Sequence, residues 1–216
     1  ENLKEFIPAI KKYLPNSEVY VVEQLGNELF NKGSLINAAV TTIQGYLCTA
    51  LRNHSAYFMF HDVDLLPVDV DYSYPINPTH VATELGQYDY KMPYPDYFGG
   101  CVLFTFEHYK SVNGFSNKLN GWGCEDDLFY DSFIQKGMTV DRRRGRMDSM
   151  HHDRFSNNDA FARNVELWKK GRDFTDGGNP MLRVGHAIEG TLQPGIADQN
   201  EIDMTRRYRL DLAKGK

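Results

Sequence analysis

Two acidic clusters carry the chemistry legible in this chain. In the first, His61-Asp62-Val63-Asp64 ends an apolar run from Ala56 that reads as a buried strand. Two carboxylates one residue apart leave a strand on the same side, so both can face one ligand. At the carboxyl end of a strand in an open α/β sheet, Asp-x-Asp suits a divalent cation shared with a diphosphate. Mg²⁺ and Mn²⁺ prefer carboxylate oxygens and keep positions open. On its own the triplet is weak, and it serves as readily as a capping turn. In the second cluster, Gly121-Trp122-Gly123-Cys124-Glu125-Asp126-Asp127 sets three acids behind a tryptophan held between glycines. The apolar face Leu128, Phe129, Phe133 and Ile134 follows directly. The helix dipole accounts for acids at a helix start. It does not account for the indole, which glycines on each side let swing over whatever binds beside it.

A third piece is Met150-His151-His152-Asp153. Adjacent histidines on a strand point to opposite faces, so at most one meets a given metal. Imidazole is a reasonable partner for Mn²⁺, whereas a thioether is soft and weak. An isolated His-His pair is also a common surface feature. The basic run Arg142-Arg143-Arg144 with Arg146 is short and can pair with acids, with phosphate or with solvent. A formal net charge of -5 argues against a nucleic-acid binder. The 13 Tyr and 13 Phe would suit a site that stacks sugars or bases. No apolar run approaches a membrane span, and Glu1 does not begin a signal peptide. Cys48, Cys101 and Cys124 give neither a zinc pattern nor a complete disulfide framework. Asn53-His54-Ser55 is a formal glycosylation acceptor of a kind common by chance.

The elements that must position these groups read as one α/β domain across residues 1–216. Leu3, Phe6, Ile7, Ile10 and Leu14 predict a helix closed by Pro15; Leu35 to Leu51 predicts a second. Glu18 to Glu23 reads as a short buried strand, and Ala56 to His61 as one apolar on both faces, as inside a parallel sheet. A tyrosine-rich stretch punctuated by Pro75, Pro78, Pro93 and Pro95 holds one short strand near Thr79 to Glu84. Gly99-Gly100 introduces a strand from Cys101 to Phe106; a helix from Glu125 to about Lys136 and a strand around Met138 to Asp141 follow. His151 to Asn164 reads as a mobile polar loop, helical toward Lys170. A turn at Gly177 to Pro180, a strand from Met181 to Ile188 and an edge strand near Ile202 to Arg209 complete the reading.

Five ordered motifs then carry a resemblance: Phe30-Asn31-Lys32, His61 through Pro67, Tyr97-Phe98-Gly99-Gly100, Asn113-Gly114-Phe115-Ser116-Asn117, and Gly121 through Asp127. In order and spacing they resemble the β-1,4-galactosyltransferases, over roughly Asn2 to Ile188. Glu125 through Tyr130 and Asp176-Gly177-Gly178 look most like the branch directed to xylose in proteoglycan linkers. The resemblance implies a GT-A fold, with a mixed central sheet flanked by helices. It implies an inverting transfer of galactose from UDP-galactose to an acceptor-sugar hydroxyl, with Mn²⁺ as cofactor. Asp64 and His152 match metal ligands; Met150 is a candidate second ligand and His151 its rival. Asp62 and Val63 line the nucleotide, and Phe30 and Lys32 match uridine contacts. Lys stands for the usual Arg and lacks its planar fork. Asp126 matches the general base, with Asp127 and Glu125 orienting acceptor and base. Trp122 matches the indole that closes over the donor, Tyr97 a position tied to donor-sugar preference, and Gly99 and Gly100 the backbone that approaches the sugars.

The chain departs from the family at Asn120, where the first Trp of Trp-Gly-Trp-Gly is expected, and it begins after the segment that supplies the first strand. Other readings are transfer from UDP-N-acetylgalactosamine or UDP-glucose, a catalytically silent sugar-nucleotide or glycan-binding module, and a metal-dependent phosphoester hydrolase. The family implies the Golgi lumen, through an anchor outside this sequence, with no membrane contact by the domain itself. A cytosolic microbial or viral homologue is the alternative.

Overall fold

The hydrophobic spacing of the amino-terminal segment folds it into helix α1, Asn2–Tyr13, which buries Phe6 and Ile10. The computed structural model describes residues 2–52, 56–151, 158–171, 193–194 and 205–211. The backbone falls into two compact units. The first comprises Glu1–Asn16, Thr49–Val112 and Asp126–Phe155; the second comprises Ser17–Cys48, Asn113–Glu125 and Ser156–Lys216.

In the first unit, β2 (Phe58–His61) pairs antiparallel with β6 (Cys101–Phe104), in a four-stranded sheet ordered β2-β6-β4-β7. Here β4 is Thr79–His80 and β7 is Asp141–Arg142. A parallel setting for β2 was expected from its unbroken apolar run. The run instead reflects cover on both faces. Phe58 and Phe60 pack on Phe104, while the edge of Phe6 meets His61 at 4.9 Å. A second sheet, ordered β3-β8-β5, joins Leu65–Val70, Gly145–Ser149 and Glu84–Leu85. The expected short strand near Thr79 to Glu84 is therefore two strands, β4 and β5, in different sheets. Val68 bulges out of the β3–β8 register between Pro67 and Asp69, which lets a proline sit in a strand. Helix α3 (Phe106–Ser111) starts where β6 was expected to continue, because Thr105 caps it through the amide of His108. Helix α4, Glu125–Gln135, buries Leu128, Phe129 and Phe133; Ile134, expected on that face, is exposed. Much of the aromatic content is core: Phe60, Phe98, Phe104, Tyr109, Phe129 and Phe133 form one cluster.

In the second unit, β1 (Val19–Leu25) pairs parallel with β10 (Thr205–Asp211), and β10 pairs antiparallel with β9 (Gln193–Pro194). Strand β10 is the centre of this sheet, not the edge expected, and β1 is half-buried rather than buried. Among the described residues each of the three sheets is mixed. Helices α2 (Lys32–Arg52) and α5 (Asn158–Gly171) belong largely to this unit. The polar segment expected to be a loop as far as Asn164 is already helical from Asn158, with Ala160 and Asn164 buried on one face. The readings at 152–157, 177–180 and 181–188, and the Cys48 side chain, lie outside the described residues.

The basic run is structural. Arg143 donates to Ser73 and to the Tyr74 carbonyl, and Arg144 pairs with Glu84 at 2.8 Å. Arg146 lies over the Tyr90 ring at 3.9 Å. Arg142 is the consequential member. It donates to His80 Nδ1 at 2.9 Å and to the Tyr97 carbonyl, and lies against the Tyr130 ring. The opposite nitrogen of His80 bonds the Gly99 carbonyl at 2.9 Å. An arginine only donates, so Nδ1 must accept and Nε2 must carry the proton. Burial, reinforced by the Arg142 cation and opposed by the Gly99 carbonyl, pulls His80 from its ordinary 6.5 down to about 3. The folded ring therefore stays neutral where the unfolded ring binds a proton. Its contribution to stability is complete above pH 6.5 and is lost as pH falls toward 3. In chemical denaturation at pH 4–7, replacing His80→Gln should flatten the slope of stability against pH, by at most roughly 1.4 kcal/mol per pH unit. An unchanged slope would contradict a neutral buried ring.

Candidate active site

The two sheets of the first unit meet at the Asp-x-Asp turn. Strand β2 ends with His61 opposite Cys101, and β3 begins with Leu65 opposite Ser149. Asp62-Val63-Asp64 is thus the link by which the chain leaves one sheet for the other. Each end is tied by its backbone. The Asp62 amide donates to the Gly100 carbonyl at 2.8 Å, and the Met150 amide donates to the Asp64 carbonyl at 2.7 Å. Val63 is exposed at the tip, and both acids are half-buried. Burial lowers the pKa of His61, whose ring bonds the Asp62 carbonyl and the Tyr72 hydroxyl.

The same glycine pair reaches the second acidic cluster. A Cβ on Gly99 would lie 2.7 Å from Tyr97 Oη and 2.8 Å from Asp126 Oδ2. Gly100 has φ +79, and a Cβ there would meet Ala82 and Leu65 at 2.9 Å. Asp62 therefore bonds one glycine of the pair while the Asp126 carboxylate crowds the other. Asp126 and Asp127 stand in the first turn of α4, where the dipole favours negative charge. Tyr94 donates to Asp127 at 2.7 Å, and its ring meets that of Tyr97 edge-on at 5.4 Å. The structure thus brings together Asp62, Asp64, Gly99, Gly100, Tyr97, Asp126 and Met150. Among the sequence-derived candidates it adds Tyr94 as a partner of Asp127, and His80 with Arg142 as the support behind Gly99. Sequence offered only the tyrosine richness and a short basic run as signals for these three.

For a divalent cation, the carboxylates of Asp62 and Asp64 are hard oxygen donors suited to Mn²⁺, and the backbone bond sets Met150 beside Asp64. Among the described residues no three His, Cys, Asp or Glu side chains converge as a metal cluster. His151 is exposed, and His152 lies outside the described residues. The Asp64 carboxylate with Met150 beside it fits part of a divalent-cation donor set, with His152 as the expected imidazole.

The second unit carries the remaining candidates. Asn31 caps α2 by accepting from the Ser34 amide at 2.8 Å, and it donates to the Asn117 carbonyl and to Asn120 Oδ1, each at 2.9 Å. Asn37 exchanges bonds with the Phe115 backbone, so the second helix grips the Asn113–Asn117 motif through buried amides. Gly33 makes this possible: a Cβ there would lie 2.4 Å from the Ser116 carbonyl oxygen. Phe30 presents an exposed ring at this helix start, its carbonyl accepting from the Gly121 amide at 2.7 Å, and Lys32 is half-buried one residue into the helix. The Trp122 indole is 61% exposed and stacks on Phe161. Glu125 accepts from the Gly123 amide at 3.0 Å. Gly121, Gly123 and Cys124 all have positive φ. A Cβ on Gly121 would meet Ala160 at 2.9 Å, and one on Gly123 would meet the Phe161 ring at 2.6 Å. These glycines were expected to let the loop swing. Close packing on α5 is a further reason for glycine at both positions.

Residues 1–76 match the family described as the N-terminal region of glycosyl transferase group 7, and residues 79–153 that described as the N-terminal domain of galactosyltransferase. Mouse β-1,4-galactosyltransferase 2 is 35% identical over 159 residues, covering 70% of this chain and 41% of the mouse protein. Human β-1,4-galactosyltransferase 3 is 39% identical over 128 residues, covering 57% of this chain and 31% of the human protein. The chain thus spans less than half the length of these curated relatives. The catalytic domain of Drosophila β-1,4-galactosyltransferase 7 in complex with xylobiose superposes with a TM-score of 0.66 at 25% identity, over 97% of this chain and 87% of that one. A mutant of that Drosophila enzyme in complex with manganese, UDP-Gal and xylobiose gives 0.61 at 26% identity, over the same shares. The fold is the GT-A arrangement of these enzymes. With two consecutive family matches covering most of its length, the chain belongs to the galactosyltransferase family of glycosyl transferase group 7.

Proposed function

We propose that this domain transfers galactose from UDP-galactose to a hydroxyl of an acceptor sugar, with inversion and with Mn²⁺ as cofactor. The observation that carries the reading is the convergence of the Asp-x-Asp turn and the Asp126 carboxylate on Gly99-Gly100. A diphosphate-bound cation and a general base are the two things such a transfer needs. Asp64 and His152, with Met150 as a further ligand, would hold the cation; Asp62 and Val63 line the nucleotide, and Phe30 and Lys32 contact the uridine. Bound there, such a cation would supply Lewis-acid stabilisation of the negative charge on the departing diphosphate. Asp126 accepts the proton of the attacking hydroxyl as the new C1–O bond forms and the sugar–phosphate bond breaks, its electron pair leaving with UDP. Glu125 and Asp127 orient the acceptor and the base. Gly99 and Gly100 let the main chain approach the sugars, beside Tyr97. Trp122 excludes water that would otherwise hydrolyse the donor.

The Drosophila complexes with xylobiose support a xylose-bearing acceptor. Membership of this family is the support for a place in the Golgi lumen, and among the described residues no helix is long and apolar enough to cross a membrane. Replacing Asp126→Asn should lower kcat/KM for galactose transfer by roughly 10²–10⁴-fold. UDP affinity, read by titration calorimetry with Mn²⁺, should be retained. Undiminished transfer would remove Asp126 from its role. Chelation should abolish transfer from UDP-galactose to a xyloside, measured by mass spectrometry, and added Mn²⁺ should restore it. Full turnover in chelator would contradict the cation assignment, and faster turnover of UDP-glucose or UDP-N-acetylgalactosamine would reassign the donor.

A further inference from the structure

An indole 61% exposed gains little from burial, so something else must fix where Trp122 stands. Its only ring contact among the described residues is Phe161, at 5.3 Å between centroids and 28° between planes, and Phe161 is itself 40% exposed. The backbone beneath the indole is better held. Asn164, one turn along α5 from Ala160, is fully buried. Its amide nitrogen faces three carbonyls of the loop: Asn120 at 3.2 Å, Trp122 at 3.4 Å and Gly123 at 3.2 Å. Arg163 adds a bond from Nη2 to the Asn120 carbonyl at 2.8 Å. Carbonyls only accept, so the amide must turn its NH₂ toward them, and its two hydrogens serve all three. The other end shows what this orientation costs: among the described residues Asn164 Oδ1 is buried without a hydrogen-bond partner. A buried amide that leaves its own oxygen unmet to serve a loop bearing an exposed aromatic points to work on that loop.

We propose that Asn164 is a positioning residue for sugar transfer: by holding the carbonyls of Asn120, Trp122 and Gly123 it sets the main chain from which the Trp122 indole projects onto Phe161. The proposal rests on the galactosyltransferase reading for its effect on turnover, but not for its effect on the indole. The chain has two tryptophans, Trp122 and Trp168, so Trp168→Phe leaves Trp122 as the sole emitter. In that background Asn164→Leu removes the donors at similar volume. Asn164→Asp presents a carboxylate to three carbonyl oxygens.

Both should red-shift Trp122 emission and increase its quenching by acrylamide in the ligand-free protein. Both should raise the KM for UDP-galactose on the order of tenfold, the loss of about one hydrogen bond, with kcat and acceptor KM little changed. Should either variant fold poorly, Phe161→Leu at the half-exposed ring should reproduce the red shift and quenching without touching the buried amide. Emission and quenching unchanged in the Asn164 variants, or a lowered Tm with both KM values unchanged, would overturn the assignment. If the parent turns over no UDP-sugar, the functional reading fails, while Trp122 emission still decides the role of Asn164.

Discussion

Main chain at Gly99-Gly100 is so closely surrounded that neither residue can carry a Cβ without displacing a neighbour, and at Gly99 those neighbours are Tyr97 and Asp126. Gly100 occupies a left-handed conformation and sits against Leu65 and Ala82, so its carbonyl is placed to receive the amide of Asp62. Gly99 is bounded by the Tyr97 hydroxyl and the Asp126 carboxylate, and its own carbonyl is fixed from behind by His80. Much of the first unit can be seen as serving this contact. Strand β2 delivers Asp62, β6 begins immediately after Gly100, and α4 supplies Asp126. Arg142, reaching both His80 and the Tyr97 carbonyl, ties the loop to β4 and β7. A side-chain site built on loops alone would lack such rigidity; here two sheets and a helix terminus hold the groups in register.

The second unit holds its loops by a different device. Asn31, Ser34, Asn37 and Asn164 are all buried, and each donates to main chain or to another polar side chain, with Asn164 Oδ1 alone among their side-chain polar atoms left unmet by the described residues. Burying such groups is costly unless they are paired, and once paired they allow few alternatives. The effect is to fix irregular segments, Asn113–Asn117 and Asn120–Gly123, that have no sheet partner to define them. Glycine enters here for proximity as well as for φ: Gly33 against Ser116, Gly121 against Ala160, Gly123 against Phe161.

Much of this arrangement could be read from the chain. Helix α1 followed from apolar spacing, α4 from acids ahead of an apolar face, and β6 from the glycines before Cys101. The motif residues of the first unit did come together. What escaped has physical causes. Strand β8 is Gly-Arg-Met-Asp-Ser, with only Met147 apolar, so no alternation announces it; it is defined by Gly145, whose Cβ would collide with Val81. Strand β3 contains Pro67, which a bulge accommodates. A continuous apolar run reported cover on both faces of β2 and could not report strand direction. The roles of His80 and Arg142 depend on partners many residues away, which spacing cannot show. The glycines around Trp122 were visible, but their packing against Ala160 and Phe161 was not.

Gly99→Ala is the most direct test of the account. The two groups in the way are ends of side chains, Tyr97 Oη and Asp126 Oδ2, so they should yield before the backbone does. The variant should keep its thermal midpoint and its affinity for UDP with Mn²⁺, yet lose roughly 10²-fold or more in galactose transfer, as expected when a general base is displaced. Wild-type turnover in a folded Gly99→Ala protein would contradict the claim that this glycine holds tyrosine and carboxylate in their working positions.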